Sequence, residues 1–352
     1  MSGQQDAFSD QLLAWFSQHG RKDLPWQRQR TAYRVWLSEI MLQQTQVATV
    51  IPYYERFLAR FPNVRALAEA PIDEVLRLWA GLGYYARARN LHRCAQTVVS
   101  THDGQFPREI EALQSLPGIG RSTAGAMLAF THGSRHPILD GNVKRVLARY
   151  HAIEGVTNAR DVQMKLWRLA DAHTPATRVR EYTQAIMDLG ATLCTRTRPD
   201  CDACPLANDC KARRMDAVRN FPTSGKRSAL PVRAAQFLIV SNDRRSVLLE
   251  RRPPSGIWGG LWSLPEVGIH EHAEQWCQRH GFTLRHCQRW AVVRHTFTHY
   301  HLDIHPVELD VHSTSSPVMD EDRWLWYKGG RALPVGVATP VRKLLARLGD
   351  RI

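Results

Sequence analysis

Apolar residues recur at helical spacing from residue 8 to about 211. Phe8, Leu12, Leu13, Trp15 and Phe16 set the rhythm, and Gly20 offers a stop after them. The same period predicts helices over 74–79, 91–99, 121–130, 143–150, 162–170 and 182–189. After residue 232 the pattern turns β-like. Ala235–Val240 and Ser246–Arg251 read as strands around a turn at Asn242-Asp243, with further strands at 290–294, 301–309 and 323–327. A closing helix is expected with Thr339 as N-cap and Pro340 in its first turn. Between the two patterns, an Arg-rich stretch with Pro222, Ser224, Gly225, Lys226, Arg227 and Pro231 has little periodicity and reads as a basic linker. The expected organisation is an all-α domain over 1–215, a linker over 216–232 and an α+β domain over 233–352. A chain of 352 residues is long enough for two such cores.

Charge adds a partner. The formal net charge is +14, which favours a polyanion, nucleic acid before membrane, because neutralising phosphates releases counterions. No run of 18 apolar residues and no signal-like N-terminus stands in the sequence, so neither a membrane span nor secretion is expected. Seven cysteines without an oxidising context suit a reduced, cytoplasmic protein.

Four of those cysteines, Cys194, Cys201, Cys204 and Cys210, form a C-x6-C-x2-C-x5-C array. Spacing alone leaves a structural Zn2+ and an iron–sulfur cluster both open. Leu116-Pro117-Gly118-Ile119-Gly120 predicts a tight turn between helices. Gly118 and Gly120 there let backbone N–H groups approach a phosphate, and Arg121 adds charge; a plain helix cap is the other reading. Asp140 follows twenty residues after Gly120, directly before a helical run, where an N-cap is the ordinary role. An anion held there also suits an oxocarbenium-like transition state. Glu39 lies in the apolar stretch Val35-Trp36-Leu37-Ser38-Glu39-Ile40-Met41-Leu42. Burial there would raise its pKa, as a general acid requires; an exposed helix residue is the alternative.

The hairpin glycines, Asp140 and the cysteine array, in that order, resemble the endonuclease III-like helix-hairpin-helix iron–sulfur DNA glycosylases. Leu24-Pro25-Trp26, the run from Met41 to Gln46, the run from Gly81 to Leu91 and the run from Gln184 to Gly190 are similar to the adenine-excising branch of that family. The resemblance spans nearly the whole chain. It implies one 4Fe–4S cluster on the four cysteines, and duplex DNA carrying adenine opposite 8-oxoguanine or G as partner. A monomer is implied, with no membrane. By the resemblance Glu39 protonates the flipped adenine and Asp140 stabilises the sugar cation or bonds to it transiently. Gln44 and Tyr84 match positions that wedge into the duplex, Gln184 a residue near the adenine edge, and Arg21 and Lys22 a basic pair by the pocket. Ser122 occupies the place of the lysine that forms an imine in the lyase branch. An alcohol cannot do so, and a monofunctional enzyme is expected, with a bifunctional lyase as the alternative. Lys144, four residues after Asp140, would contact phosphate or pair with Asp140.

Gly260-x5-Glu266 and Gly281-Phe282 fit the frame of a Nudix box, the motif of Mg2+-dependent nucleotide pyrophosphatases. The frame asks for acids where Gln275, Gln278 and Arg279 stand. Mg2+ requires hard anionic oxygens, so a Nudix-like fold without catalytic Mg2+ is expected, and a pyrophosphatase is disfavoured. Phe297-Thr298-His299 matches the branch's lesion-reading loop, Phe-Ser-His, with Thr298 as the departure. His295, His299 and His301 read otherwise as alternate residues on one strand face. The glycine-rich run 255–262 carries Trp258 and Trp262, for packing or domain contact.

Overall fold

The structure, a computed structural model, describes residues 3–223, 225, 229–313, 323–329 and 332–349. Ser224, Lys226 and Arg227 of the expected linker lie outside the described residues. The chain divides into two compact units, residues 1–68 with 93–227 and residues 69–92 with 228–352.

Helices come first along the chain: α1 (Gly3–His19), α2 (Ala32–Leu42), α3 (Val47–Arg60), α4 (Val64–Glu69), α5 (Ile72–Trp79) and α6 (Tyr85–His102). They continue as α7 (Ile110–Ser115), α8 (Arg121–His132), α9 (Gly141–Tyr150), α10 (Arg160–His173), α11 (Val179–Thr192) and α12 (Lys211–Arg214). In the first unit, α11 packs against α1, α8 and α9, and α2 against α3 and α8. The helix ends have visible causes. Gly20 donates to the Phe16 carbonyl at 2.9 Å and closes α1. Thr31 caps α2 by accepting the Arg34 N–H. Gly133, with φ +69°, closes α8 in the left-handed region that costs glycine nothing. Gly190 on α11 is required by a close approach: a Cβ there would meet the Cβ of Asn142, in the first turn of α9, at 2.6 Å.

The second unit holds one mixed sheet: β1 (Val232–Asn242), β2 (Ser246–Arg251), β3 (Trp262–Ser263), β4 (Glu266–Val267), β5 (Phe282–Arg289), β6 (Val293–Thr296), β7 (His301–Ser313) and β8 (Trp324–Lys328). The order is β3-β2-β1-β7-β5, with β4 on β1, β6 on β7 and β8 on β2. β1 and β7 run parallel, Leu238 opposite Val307, and the other pairs are antiparallel. Helix α13 (Ala273–Arg279) lays Trp276 and Cys277 onto Leu238, Val240, Leu248, Phe282 and Leu309. A last helix, α14 (Thr339–Leu348), buries Val341, Leu344 and Leu348.

Three local expectations change. The strand expected over 290–294 divides: β5 ends at Arg289 and β6 starts at Val293, while Trp290 turns its indole to Glu308 at 2.8 Å. The cap of α14 is Ala338, and Thr339 is already helical. His295, His299 and His301 are not on one strand: they fall on β6, in the turn and on β7. Among the described residues, no helix is long and apolar enough to cross a membrane.

Candidate active site

Almost the whole circumference of α2 is buried, including Val35, Trp36, Leu37, Ser38 and Ile40. Glu39 is the one ionisable residue of the run 35–42. It opens, with Val35, Ser38 and Leu42, onto a cavity of about 1410 Å3 in the first unit. That exceeds the roughly 300–1,000 Å3 of a small-molecule pocket and suits a nucleotide entering from a polymer. Asp140, Ser122, Gln184, Gln44, Lys144 and Arg21 line the same cavity, so the hydrophobic pattern and the resemblance converge on one place.

The two carboxyls differ in what holds them. Burial, and then the nearby Asp140 charge, push Glu39 up to about 8. Burial also raises Asp140, but the N–H groups of Val143 and Asn142 and the charges of Arg145 and Lys144 oppose it. Asp140 caps α9, accepting the Val143 N–H at 2.7 Å, where the helix dipole favours an anion. Of the pair, Asp140 has N–H donors and neighbouring cations that favour its anion, whereas at Glu39 burial and the Asp140 charge both favour the protonated form.

Ser122 holds the approach to that cap. Its Oγ accepts the N–H of Leu139, the residue before Asp140, at 3.0 Å. Lys144 directs its Nζ to Asn158 Oδ1 at 3.3 Å, not to the Asp140 carboxylate with which pairing was one expectation. Gln184 donates to Asp188 Oδ1 at 2.9 Å. Arg21 binds the same carboxylate through its backbone N–H and through Nε, both at 2.9 Å. Asp188 is fully buried and orients two cavity residues at once. Sequence reasoning missed it, although a carboxylate amid Tyr182, Ala185, Ile186 and Leu189 signals a buried partner. Lys22 is exposed, bonds to the Ser17 carbonyl and does not line the cavity.

The hairpin between α7 and α8 lies outside the cavity lining, but Ser122 and Thr123 just beyond it reach in. Gly118 has φ +80°, and Gly120 is the exposed N-cap of α8. Arg121 stacks over Trp167, 4.0 Å from the ring centre. Gln44 and Tyr84, the two wedge candidates, are both exposed and both left-handed, with φ +57° and +49°. Neither residue type favours that region, and such strain collects at functional turns.

Cys194, Cys201, Cys204 and Cys210 line one small cavity beside α9. Arg149 donates to Cys194 Sγ at 3.3 Å, and to the Thr195 carbonyl at 2.7 Å. Burial above all pushes the Cys204 thiol up to about 12, with the other three thiols adding to the rise. Four thiolates together there need a cation among them. Among the described residues, no three His, Cys, Asp or Glu side chains converge closely enough for a metal ion.

In the second unit, Phe297, Thr298 and His299 form the tip between β6 and β7, closed by the Phe297 N–H on the Tyr300 carbonyl at 2.9 Å. Thr298 and His299 are exposed. Phe297 stacks on Tyr300 and lies 5.2 Å from Trp258. On α13, Gln275 and Gln278 face solvent, and Arg279 pairs with Glu271. Glu266, the acid that fits the Nudix frame, is engaged by Arg252 at 2.5 Å.

Two family descriptions match the chain: an HhH-GPD superfamily base excision DNA repair protein over residues 37–172, and a NUDIX domain over 235–347. The chain is 36% identical to the adenine DNA glycosylase of Buchnera aphidicola subsp. Acyrthosiphon pisum (strain APS), over 98% of each chain. It is 37% identical to the adenine DNA glycosylase of Homo sapiens, over 91% of this chain and 70% of the human one. A thermostable thymine-DNA glycosylase structure matches 60% of this chain and 97% of its own, at 26% identity and TM-score 0.54. An endonuclease III–DNA complex matches 61% and 98%, at 20% identity and TM-score 0.53, a likeness of fold.

Proposed function

The chain belongs to the adenine DNA glycosylases, and from that premise we propose that it hydrolyses the N-glycosidic bond of adenine paired with 8-oxoguanine, or with G, in duplex DNA. The observation that carries the chemistry is the unequal carboxyl pair in one cavity: Glu39 pushed up to about 8 and Asp140 at a helix N-terminus. A flipped adenine is a poor leaving group as an anion. Glu39 delivers its proton to a ring nitrogen as the C–N bond breaks, and the base leaves neutral. The bond's electron pair goes to the base and the sugar becomes an oxocarbenium ion. The Asp140 carboxylate stabilises that cation electrostatically. Water then adds to the sugar carbon and gives up a proton, leaving an abasic site.

The reading assigns supporting parts by residue. Gln184 and Arg21, fixed by Asp188, bound the base site. Gly118, Gly120 and Arg121 hold phosphate at the hairpin, with Lys22 and Lys144 adding positive charge along the backbone. Gln44 and Tyr84 enter the duplex, where their exposed, strained turns are suited to intrude. Residues 1–215 carry the chemistry. Residues 233–352 read the opposite base through Phe297, Thr298 and His299, and 216–232 join them. The protein acts as a monomer on cytoplasmic DNA. The test is a panel of duplexes with adenine opposite 8-oxoguanine, G, C and T. Adenine release is expected opposite 8-oxoguanine first and G second. Strands stay intact until heated with alkali, because Ser122 is spent on the Leu139 N–H and offers no amine. Efficient nicking without alkali, removed by Lys144→Ala, would make this a lyase instead.

The four cysteines are proposed to hold a 4Fe–4S cluster, which would supply four metal–thiolate bonds tying 194–210 together. The four thiols line one cavity, which supports a shared metal group, and the resemblance favours the cluster over Zn2+ there. Arg149, donating to Cys194 Sγ, complements a negatively charged thiolate set. Purified protein is expected to be brown, with about four iron atoms per chain. A colourless, active preparation with stoichiometric zinc overturns this assignment.

A further inference from the structure

Residues 69–92 fold with the second unit although they lie in the first third of the chain. The contacts that hold them are specific. Arg89, in the first turns of α6, donates from its guanidinium to the Gly259 carbonyl at 2.6 Å. Arg251 pairs with Asp73 on α5 at 3.2 Å. A Cβ on Gly336 would stand 2.9 Å from the backbone of Leu76, so α5 is approached by main chain with no side chain between.

The loop 256–260 receives the Arg89 bond. It is braced internally: Gly260 donates to the Pro253 carbonyl at 3.0 Å, Leu261 to Trp258 at 2.9 Å, and Arg252 Nε to Ile257 at 3.0 Å. Its Trp258 is held at φ +54° and buried, with its ring 5.2 Å from Phe297 and 5.4 Å from His295. A large aromatic in that region is strained, and such strain persists only where the surroundings over-determine it. The other end of the contact is the turn of Tyr84. The Arg87 N–H bonds the Tyr84 carbonyl at 2.8 Å, and the Arg87 guanidinium lies 5.3 Å over the Tyr84 ring. Trp79 Nε1 donates to the Gly83 carbonyl at 3.1 Å. Thus a continuous run of tilted ring contacts, braced backbone and one charged hydrogen bond joins the tip at 297–299 to the turn at 84.

We infer that Arg89 is a positioning residue for lesion specificity: by clamping Gly259 it transmits the placement of the 297–299 tip to Tyr84. This rests on the reading above that the tip contacts the opposite base and that Tyr84 enters the duplex. A displaced tip shifts Trp258, the loop and, through the Arg89 bond, the start of α6. Without the clamp, reading and intrusion become independent events, and the gain from 8-oxoguanine no longer reaches the step at which Tyr84 inserts. A charged hydrogen bond of this kind is strong enough to matter at the level of tenfold in rate.

The experiment is single-turnover excision opposite 8-oxoguanine and opposite G by the full-length wild type, Arg89→Ala, Arg89→Lys, Thr298→Ala/His299→Ala and the triple variant, with melting temperatures for each. Intrusion is followed in parallel by a fluorescent base analogue beside the lesion. Arg89→Ala is expected to cut the preference for 8-oxoguanine about tenfold, slow intrusion at the lesion only, and leave excision opposite G near wild type. Arg89→Lys, which keeps a cationic donor, restores part of the preference. The triple variant is expected to lose no more preference than Thr298→Ala/His299→Ala alone, the non-additivity of residues in one chain of contact. Unchanged preference in Arg89→Ala, or losses that simply add, overturns the inference while leaving the enzyme's activity in place. A wild type with no preference between the two duplexes instead sinks the underlying reading of the tip.

Discussion

Glu39→Gln is expected to abolish adenine release and, at the same time, to raise the melting temperature of the protein. The first effect follows from the proton. Gln keeps the volume and hydrogen-bonding edge of Glu39 but cannot protonate a leaving base, a loss of about 10²–10⁴-fold for a general acid. DNA binding should persist, since the substitution removes no cation. The second effect follows from linkage. Glu39 titrates at about 8 folded against an ordinary 4.5, so the folded state keeps a proton that the unfolded chain has released. Stability from this group is complete below 4.5 and is lost as pH rises through about 8. Gln carries no such cost, and its advantage in melting temperature should widen over that range. Wild-type excision should fall on the alkaline side, as the acid form disappears near pH 8. Single-turnover rates and thermal melts between pH 5 and 9 measure both. Retained excision by the Gln variant at neutral pH removes Glu39 as the acid, whatever the melts show.

Much of this site was legible because its residues break patterns. Glu39 interrupts a helix that is apolar on nearly every face, and Asp140 precedes a helical run as caps do. The elements that escaped reading lack a local signal. Helix α3 carries Pro52 inside it, which argues against a helix from sequence and is outweighed by burial of Val50, Tyr54 and Phe57. Strand β5 is polar and largely exposed along its length, and only its antiparallel pairing with β7 makes it a strand. Spacing suggested one face for His295, His299 and His301, but the chain reverses between them. Asp188 is an exception: its apolar neighbours signal a buried partner, but nothing local names Arg21, far away in sequence, as that partner. The attachment of 69–92 to the second unit is a tertiary fact, resting on contacts such as Arg89 with Gly259 that no periodicity encodes.

Asp140→Asn is expected to separate the cap from the chemistry. Asn is about as good an N-cap as Asp, so its side-chain oxygen can still accept the Val143 N–H that Asp140 takes at 2.7 Å. The fold should therefore melt close to wild type, whereas Asp140→Ala loses the cap as well, at a cost of about 1 kcal/mol. Excision should fall in both, by about 10²–10³-fold for the lost charge beside the developing cation. A second consequence tests the coupling of the pair. The Asp140 charge is one of the two causes that raise Glu39, after burial. Removing it lets Glu39 ionise more easily, so the alkaline limb of the residual activity should move to lower pH than in wild type. A cap alone predicts no such movement, because Asn caps without charge. Wild-type excision by Asp140→Asn, with an unmoved alkaline limb, would falsify the electrostatic role and leave Asp140 as a helix cap near the cavity. A lower rate with the limb shifted downward is the signature of two carboxyls that share one field and divide one proton between them.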